Sequence, residues 1–164
     1  MDQELKQFDN FGFENEVRII ATKDGKIVHS TPWMKNKVPL SADNGRNLIL
    51  QALSGDYSDS LELTHGEIGT GTTAATDNDT DTETVVARGE VRYAGVSANI
   101  LNFKFFFSDS ALADGSYTEI TSWINGAAGN GTGHLFNRLV FASTPYVKAS
   151  GEDTTIQVRA TMTG

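Results

Sequence analysis

The stretch "TTIQVRATMTG" (154–164) alternates without interruption. Ile156, Val158, Ala160 and Met162 fall on one face, and Gln157, Arg159, Thr161 and Thr163 on the other. Successive side chains of an extended chain point to opposite sides, so this period of two predicts a strand with one apolar and one solvated face. Residues 99–109, "NILNFKFFFSD", repeat the pattern, with Phe103, Phe105 and Phe107 on one face and Lys104 and Phe106 on the other. Residues 87–100, "ARGEVRYAGVSANI", set Val91 and Tyr93 against Glu90 and Arg92. "EVRIIAT" (16–22) and "IVHS" (27–30) flank Asp24-Gly25, a pair suited to a tight primed hairpin turn. Further strands are predicted in "LELTHGEIGTG" (61–71), "SYTEITSWI" (116–124) and "HLFNRLVFAS" (134–143). Short half-buried strands separated by Gly-, Asn-, Asp- and Ser-rich turns predict a mainly β protein, an antiparallel and jelly-roll-like β-sandwich.

One short helix interrupts the strands. "SADNGRNLILQALSG" (41–55) offers Ser41 or Asp43 as its cap and Gly55 as its stop. Leu48, Ala52 and Leu53 are expected to share its buried face, with Trp33 packed nearby. Two long connections, 70–84 and 125–133, are expected to be surface loops. Residues 1–15 read as an extended arm and 16–164 as a single domain. The arm carries Phe8, Phe11 and Phe13. The arm either folds back over the domain's own core or docks on a neighbouring subunit, since aromatics left bare on a tail are a liability; on the second reading these three and Trp33 are the interface residues.

With 164 residues the chain is long enough for one domain with a sizeable core. A formal net charge of −8 repels phosphate backbones and anionic membranes, so neither nucleic acid nor membrane is an expected partner. The absence of cysteine excludes a disulfide framework, a thiol nucleophile and a Cys-ligated zinc. The acidic first residues lack the basic start and apolar run of a signal peptide, and no apolar stretch has the length of a membrane helix.

Several motifs fail on their chemistry. "GTGTTAAT" (69–76) lacks the Lys that a phosphate loop needs, and no Lys occurs between Lys37 and Lys104. "GNGTG" (129–133) lacks it too. Asp77, Asp79 and Asp81 have the opening spacing of a calcium loop. The sixth position is Thr82 instead of Gly and the twelfth is Arg88 instead of Glu, so the stretch reads as a solvated acidic loop. His29, His65 and His134 are scattered, with no paired metal spacing, and read as strand-surface residues. No GxSxG elbow is present. No catalytic residue, cofactor or metal is therefore expected. Trp33, Trp123, Tyr117 and Tyr146 are the aromatics available for a sugar-stacking platform.

Two further stretches carry a resemblance. "IGTGTTAATDNDTDTETVVARGEV" (68–91) is a strand ending in a Gly-Thr loop, then an acidic stretch and a Thr/Glu-led return into a strand. "HLFNRLVFASTPYVKASGEDTTIQVRATMTG" (134–164) is a Leu-Phe-x-Arg strand, a Lys-containing connection, and a Gly-Glu-Asp turn into an alternating C-terminal strand. "EITSWI" sits where a strand precedes the small Gly-rich loop. Over residues 60–164 this pattern resembles structural proteins of tailed bacteriophages. The resemblance implies a non-enzymatic virion component such as a decoration, collar, fibre or baseplate-associated subunit. It would be made in the host cytoplasm and carried in the virion as a homo-oligomer beside other virion proteins. The alternative is a glycan-binding module for host recognition.

Overall fold

Asp24 and Gly25 both take positive φ (50° and 73°), the conformation of a primed hairpin turn. They join β1 (Gly12–Lys23) to β2 (Lys26–Ser30). The structure, a computed structural model, describes residues 12–163. The remaining elements are β3 (Met34–Lys35), α1 (Gly45–Ser54), β4 (Leu63–Gly69), β5 (Val85–Ser97), β6 (Ile100–Phe107), β7 (Gly115–Tyr117), β8 (Glu119–Ile124), β9 (His134–Val140), β10 (Tyr146–Lys148) and β11 (Asp153–Thr163).

The fold is mainly β and antiparallel, with one short helix. The long sheet runs β2-β1-β11-β6-β5-β4-β8-β9, and β7 pairs with β10 separately. The long sheet curls into a half-barrel, so that its two halves face each other as the layers of a sandwich do. Phe103 of β6 meets Phe136 of β9 edge-on across this interior, at 6.2 Å. The curl is held at its rim by a short stitch. Met34 of β3 pairs with Val17 of β1, and two residues beyond β3 Lys37 bridges to Arg138 of β9. The Lys37 amide donates to the Arg138 carbonyl (2.9 Å), and the Arg138 amide donates back (2.8 Å).

The alternation at 154–163 does what its period predicts. Ile156, Val158 and Ala160 are buried with Val17, Ile19 and Ala21 of β1 and Phe103, Phe105 and Phe107 of β6. Met162, at the strand's end, is 46% exposed. Tyr93 departs from its expected face. A bulge between Val91 and Tyr93 shifts the register, leaving Val91 against the core and turning Tyr93 outward, 54% exposed. The strand also begins earlier than the expected boundary at 16. Gly12 pairs with Thr163 and Phe13 with Met162, so 12–15 are part of β1 and Phe13 packs against the core. Phe8 and Phe11 lie outside the described residues.

The helix differs in detail. Gly55 ends it in the left-handed conformation (φ 80°) as expected, but the N-cap is Asn44, not Ser41 or Asp43. The Asn44 side chain does not cap the helix; its Oδ1 accepts from the Leu135 amide of β9 (2.7 Å). Leu48 is buried, whereas Leu53 is 79% exposed, so the buried face is narrower than expected. Trp33 does not pack on the helix but lies over Arg18 and Arg159 of the sheet.

Gly66 of β4 lies directly against the Phe105 ring of β6. A Cβ built there would stand 2.3 Å from the Phe105 ring, at a position with no left-handed φ to complicate the reading. Gly66→Ala is therefore expected to lower stability by roughly 1–3 kcal/mol through overpacking. Urea denaturation measures it, and an unshifted midpoint would mean that β4 and the Phe105 ring are not pressed together at this point.

Candidate functional site

β4 and β8 are buried along nearly their whole length, and so is most of β9. A sheet face directed to solvent would alternate; these strands instead have both faces covered. The inner face holds Ile68, Ile120 and Phe136. The outer face holds charged and polar groups lying beneath the 70–84 and 125–133 loops, and two ion pairs organise it.

Glu119 of β8 is the first centre. Its carboxylate accepts from the amides of Gly71 (3.1 Å), Glu83 (2.8 Å) and Thr84 (3.1 Å) and from Arg138 Nε (2.8 Å). Arg138 of β9 also donates from Nη1 to Asp79 (2.9 Å) and from Nη2 to the Thr73 carbonyl (3.0 Å) and Glu83 (3.1 Å). The Glu119 side chain is fully buried and that of Arg138 is 4% exposed. Burial opposes the charge of Arg138, but its bonds to Glu119 and Asp79 outweigh that and raise its pKa. Burial likewise disfavours the Asp79 carboxylate. Hydrogen bonds from the Thr76 amide and hydroxyl and from Arg138 outweigh it and hold this carboxyl below the ordinary aspartate range.

Glu67 of β4 is the second centre. Its Oε1 accepts from Arg88 Nη1 of β5 (2.6 Å) and the Gly131 amide (3.1 Å), and its Oε2 accepts from the Thr82 hydroxyl. Arg88 continues to the carbonyls of Ala127 (2.9 Å) and Thr132 (2.7 Å), and its guanidinium stands 5.3 Å from the centre of the Trp123 ring. Trp123 Nε1 donates to Thr121 (3.0 Å). Glu119 and Arg138 thus hold the 70–84 loop, while Glu67 and Arg88 hold chiefly the 125–133 loop. Every carboxylate oxygen of Glu67 and Glu119 is occupied by a protein donor, so this centre is built to fix loops in place.

The expected loop chemistry resolves differently. The three aspartates take separate partners: Asp77 meets Lys37 (3.2 Å) and Arg46 (3.0 Å), Asp79 meets Arg138, and Asp81 accepts from the Thr82 amide (2.7 Å). The acidic stretch is exposed over most of its length, as a solvated loop is, and Thr76 and Asp79 bond each other within it; in addition, charges at its base bind it to the sheet. Among the described residues no group of three His, Asp or Glu is placed to hold a metal ion. His65 is buried instead of lying on a strand surface, and burial, followed by Arg88, lowers its pKa. The four-aromatic platform does not assemble, because Trp123, Tyr117 and Tyr146 are all buried.

Trp33 alone of that set reaches an open surface, on the outer face of the β1–β11–β6–β5 half. One cross-strand row there reads Arg18, Gln157, Lys104, Tyr93, paired successively across four strands. At strand spacings of 4.7–4.9 Å this row spans about 14 Å. The next row sets Glu16, Arg159, Asn102 and Gly95 side by side. Gly95 matters because a Cβ there would strike the Tyr93 hydroxyl at 2.7 Å. Arg159 bonds Glu16 (2.6 Å), and the centre of the Trp33 ring lies 4.2 Å from the Arg159 guanidinium and 4.7 Å from that of Arg18. Arg18 donates to Gln157 Oε1 (2.6 Å). Trp33 and Tyr93 flank a groove of about 310 Å³ that Asn102, Lys104 and Gln157 also line. Sequence reasoning identified Trp33 but not this row, which depends on the bulge that brings Tyr93 opposite Lys104.

No known family, curated protein or solved structure matches this chain.

Glu119→Gln would place an amide N–H₂ against donors and leave Arg138 without its buried partner. The expected loss is about 3–5 kcal/mol, read by urea denaturation, with the Gly71, Glu83 and Thr84 amides losing protection from hydrogen exchange. Acid acts on the same loop through Asp79. Because its folded pKa is depressed, its stabilising contribution is full above the ordinary aspartate value of about 4. It is lost as pH falls through the lower folded value. Amide resonances of 76–79 are expected to shift together in that acid window and to lose the shift in Asp79→Asn, while Thr73 follows Glu83, whose carboxyl the Thr73 amide and hydroxyl hold below the ordinary range.

Proposed function

We propose that this chain is a non-enzymatic structural protein of a tailed-bacteriophage virion, assembling with copies of itself and with other capsid, neck or tail proteins. The observation that carries this reading is the saturation of the Glu67–Arg88 and Glu119–Arg138 centres by the protein's own groups. The most elaborate polar cluster among the described residues spends its bonds on bracing loops, which favours a load-resistant scaffold over a site that must exchange partners with a substrate. The outer edge adds to it. Ile27 and Val28 of β2 are 66% and 51% exposed at the rim of the long sheet, and a neighbouring subunit would cover such an apolar edge.

A second reading, a glycan-binding module for host recognition, is favoured by one observation: Trp33 and Tyr93 flank an open groove with amide side chains between them. The two readings are compatible, since a virion surface protein can also bind a host glycan.

Gold-labelled antibody against the chain, applied to purified particles of the encoding virus, tests the virion reading. Label on the head, neck or tail in electron micrographs is the expected result. Unlabelled intact and opened particles, with the antibody shown active on the isolated protein, would overturn it.

A further inference from the structure

The groove between Trp33 and Tyr93 has a chemistry more specific than sugar binding in general. Arg18 and Lys104 both line it, and among the described residues neither has a carboxylate partner. Arg18 is bonded to a neutral amide, and Lys104 Nζ makes a ring contact with Tyr93 at 5.8 Å but no hydrogen bond among the described residues. Most of the other cations of this acidic chain are committed. Arg46, Arg88, Arg92, Arg138, Lys148 and Arg159 each meet Asp or Glu. Two unneutralised cations on one groove, in a protein of net charge −8, form a local reversal of the field.

The polar groups between them are also unspent. Gln157 Oε1 takes both bonds from Arg18, which fixes the amide with its N–H₂ directed away from the guanidinium. That N–H₂ and the Asn102 amide have no protein partner among the described residues. Two aromatic side chains lining the groove, amide donors within it and two cations without carboxylate partners suit a sugar ring that bears hydroxyls and a carboxylate.

We infer that this groove binds a carboxylate-bearing saccharide chain, with Arg18 and Lys104 meeting carboxylates of successive sugar units and Trp33 and Tyr93 lining the path of the chain. The inference rests on the glycan reading above and names its ligand class. Single-stranded nucleic acid shares the need for aromatic and cationic groups, but its continuous phosphate charge meets the chain's overall negative field.

The test is calorimetric titration of the intact chain. The probes are hexasaccharides of galacturonate, glucuronate and mannuronate, their fully methyl-esterified counterparts, and hexathymidylate. At least one uronate is expected to saturate and to quench Trp33 emission, with its methyl ester at least tenfold weaker. Lys104→Gln and Arg18→Gln are each expected to weaken the uronate at least tenfold while changing the ester less than twofold. Lys104 is a surface residue held only by a ring contact, so its variant carries the test if Arg18→Gln does not fold. Equal affinity for acid and ester would overturn the charge inference and leave the glycan reading standing. Binding of no saccharide would overturn both, and binding of hexathymidylate alone would replace them with a nucleic-acid site.

Discussion

The buried contact between Glu119 and Arg138 converts a one-sided sheet into a doubly covered one. Moving each ion out of water costs several kcal/mol, and their mutual attraction alone does not reliably recover it. Here the cost is met by additional bonds. The carboxylate accepts three loop amides as well as the guanidinium, and the guanidinium reaches two further carboxylates and a carbonyl. The pair is thus a hub of directed bonds, and the 70–84 loop takes its course from it. The same stretch is fastened from the other side, where the Leu40 amide and the Ser41 hydroxyl donate to the carbonyls of Asp77 and Asp79.

This arrangement divides the molecule into unlike faces. Behind β4, β8 and β9, charge is buried, paired and covered. Outside β1, β11, β6 and β5, aromatic, amide and cationic side chains stand in open rows with bonding capacity left over. The half-barrel fixes the spacing of those rows, because each strand is registered to the next over many residues and the phenylalanines beneath are closely packed. A ligand or neighbour meeting that face meets a surface already in place, which lowers the ordering cost of association.

Much of the strand pattern was legible because period-two alternation is a local property. Phe103, Phe105 and Phe107 declare their face without knowledge of any partner. The Asp24-Gly25 turn is legible for the same reason. The covered face was not legible. Glu119, Thr121 and Trp123 alternate with Ile120, Ser122 and Ile124 as a solvated face would, and only the loops folding back over them make that face interior. A signal was present in the two long loops flanking strands with single opposed charges, Glu67 and Arg88 among them, but pairing them requires the sheet order. Tyr93 was misplaced because a bulge leaves no mark in alternation. Asn44 displaced the expected caps because its side chain is drawn to β9, a contact 91 residues away in sequence.

The claim that Glu119 and Arg138 act as a bonding hub is tested most directly by replacing both with apolar residues of similar size, Glu119→Leu with Arg138→Met. A buried ion pair that merely neutralises itself can be exchanged in this way with little loss or even a gain in stability. A hub cannot, because each loop amide left without an acceptor costs about 1–3 kcal/mol. The account predicts that the double variant unfolds at clearly lower urea and that the 70–84 loop becomes sensitive to protease. A double variant as stable as the parent, with that loop still protected, would contradict it.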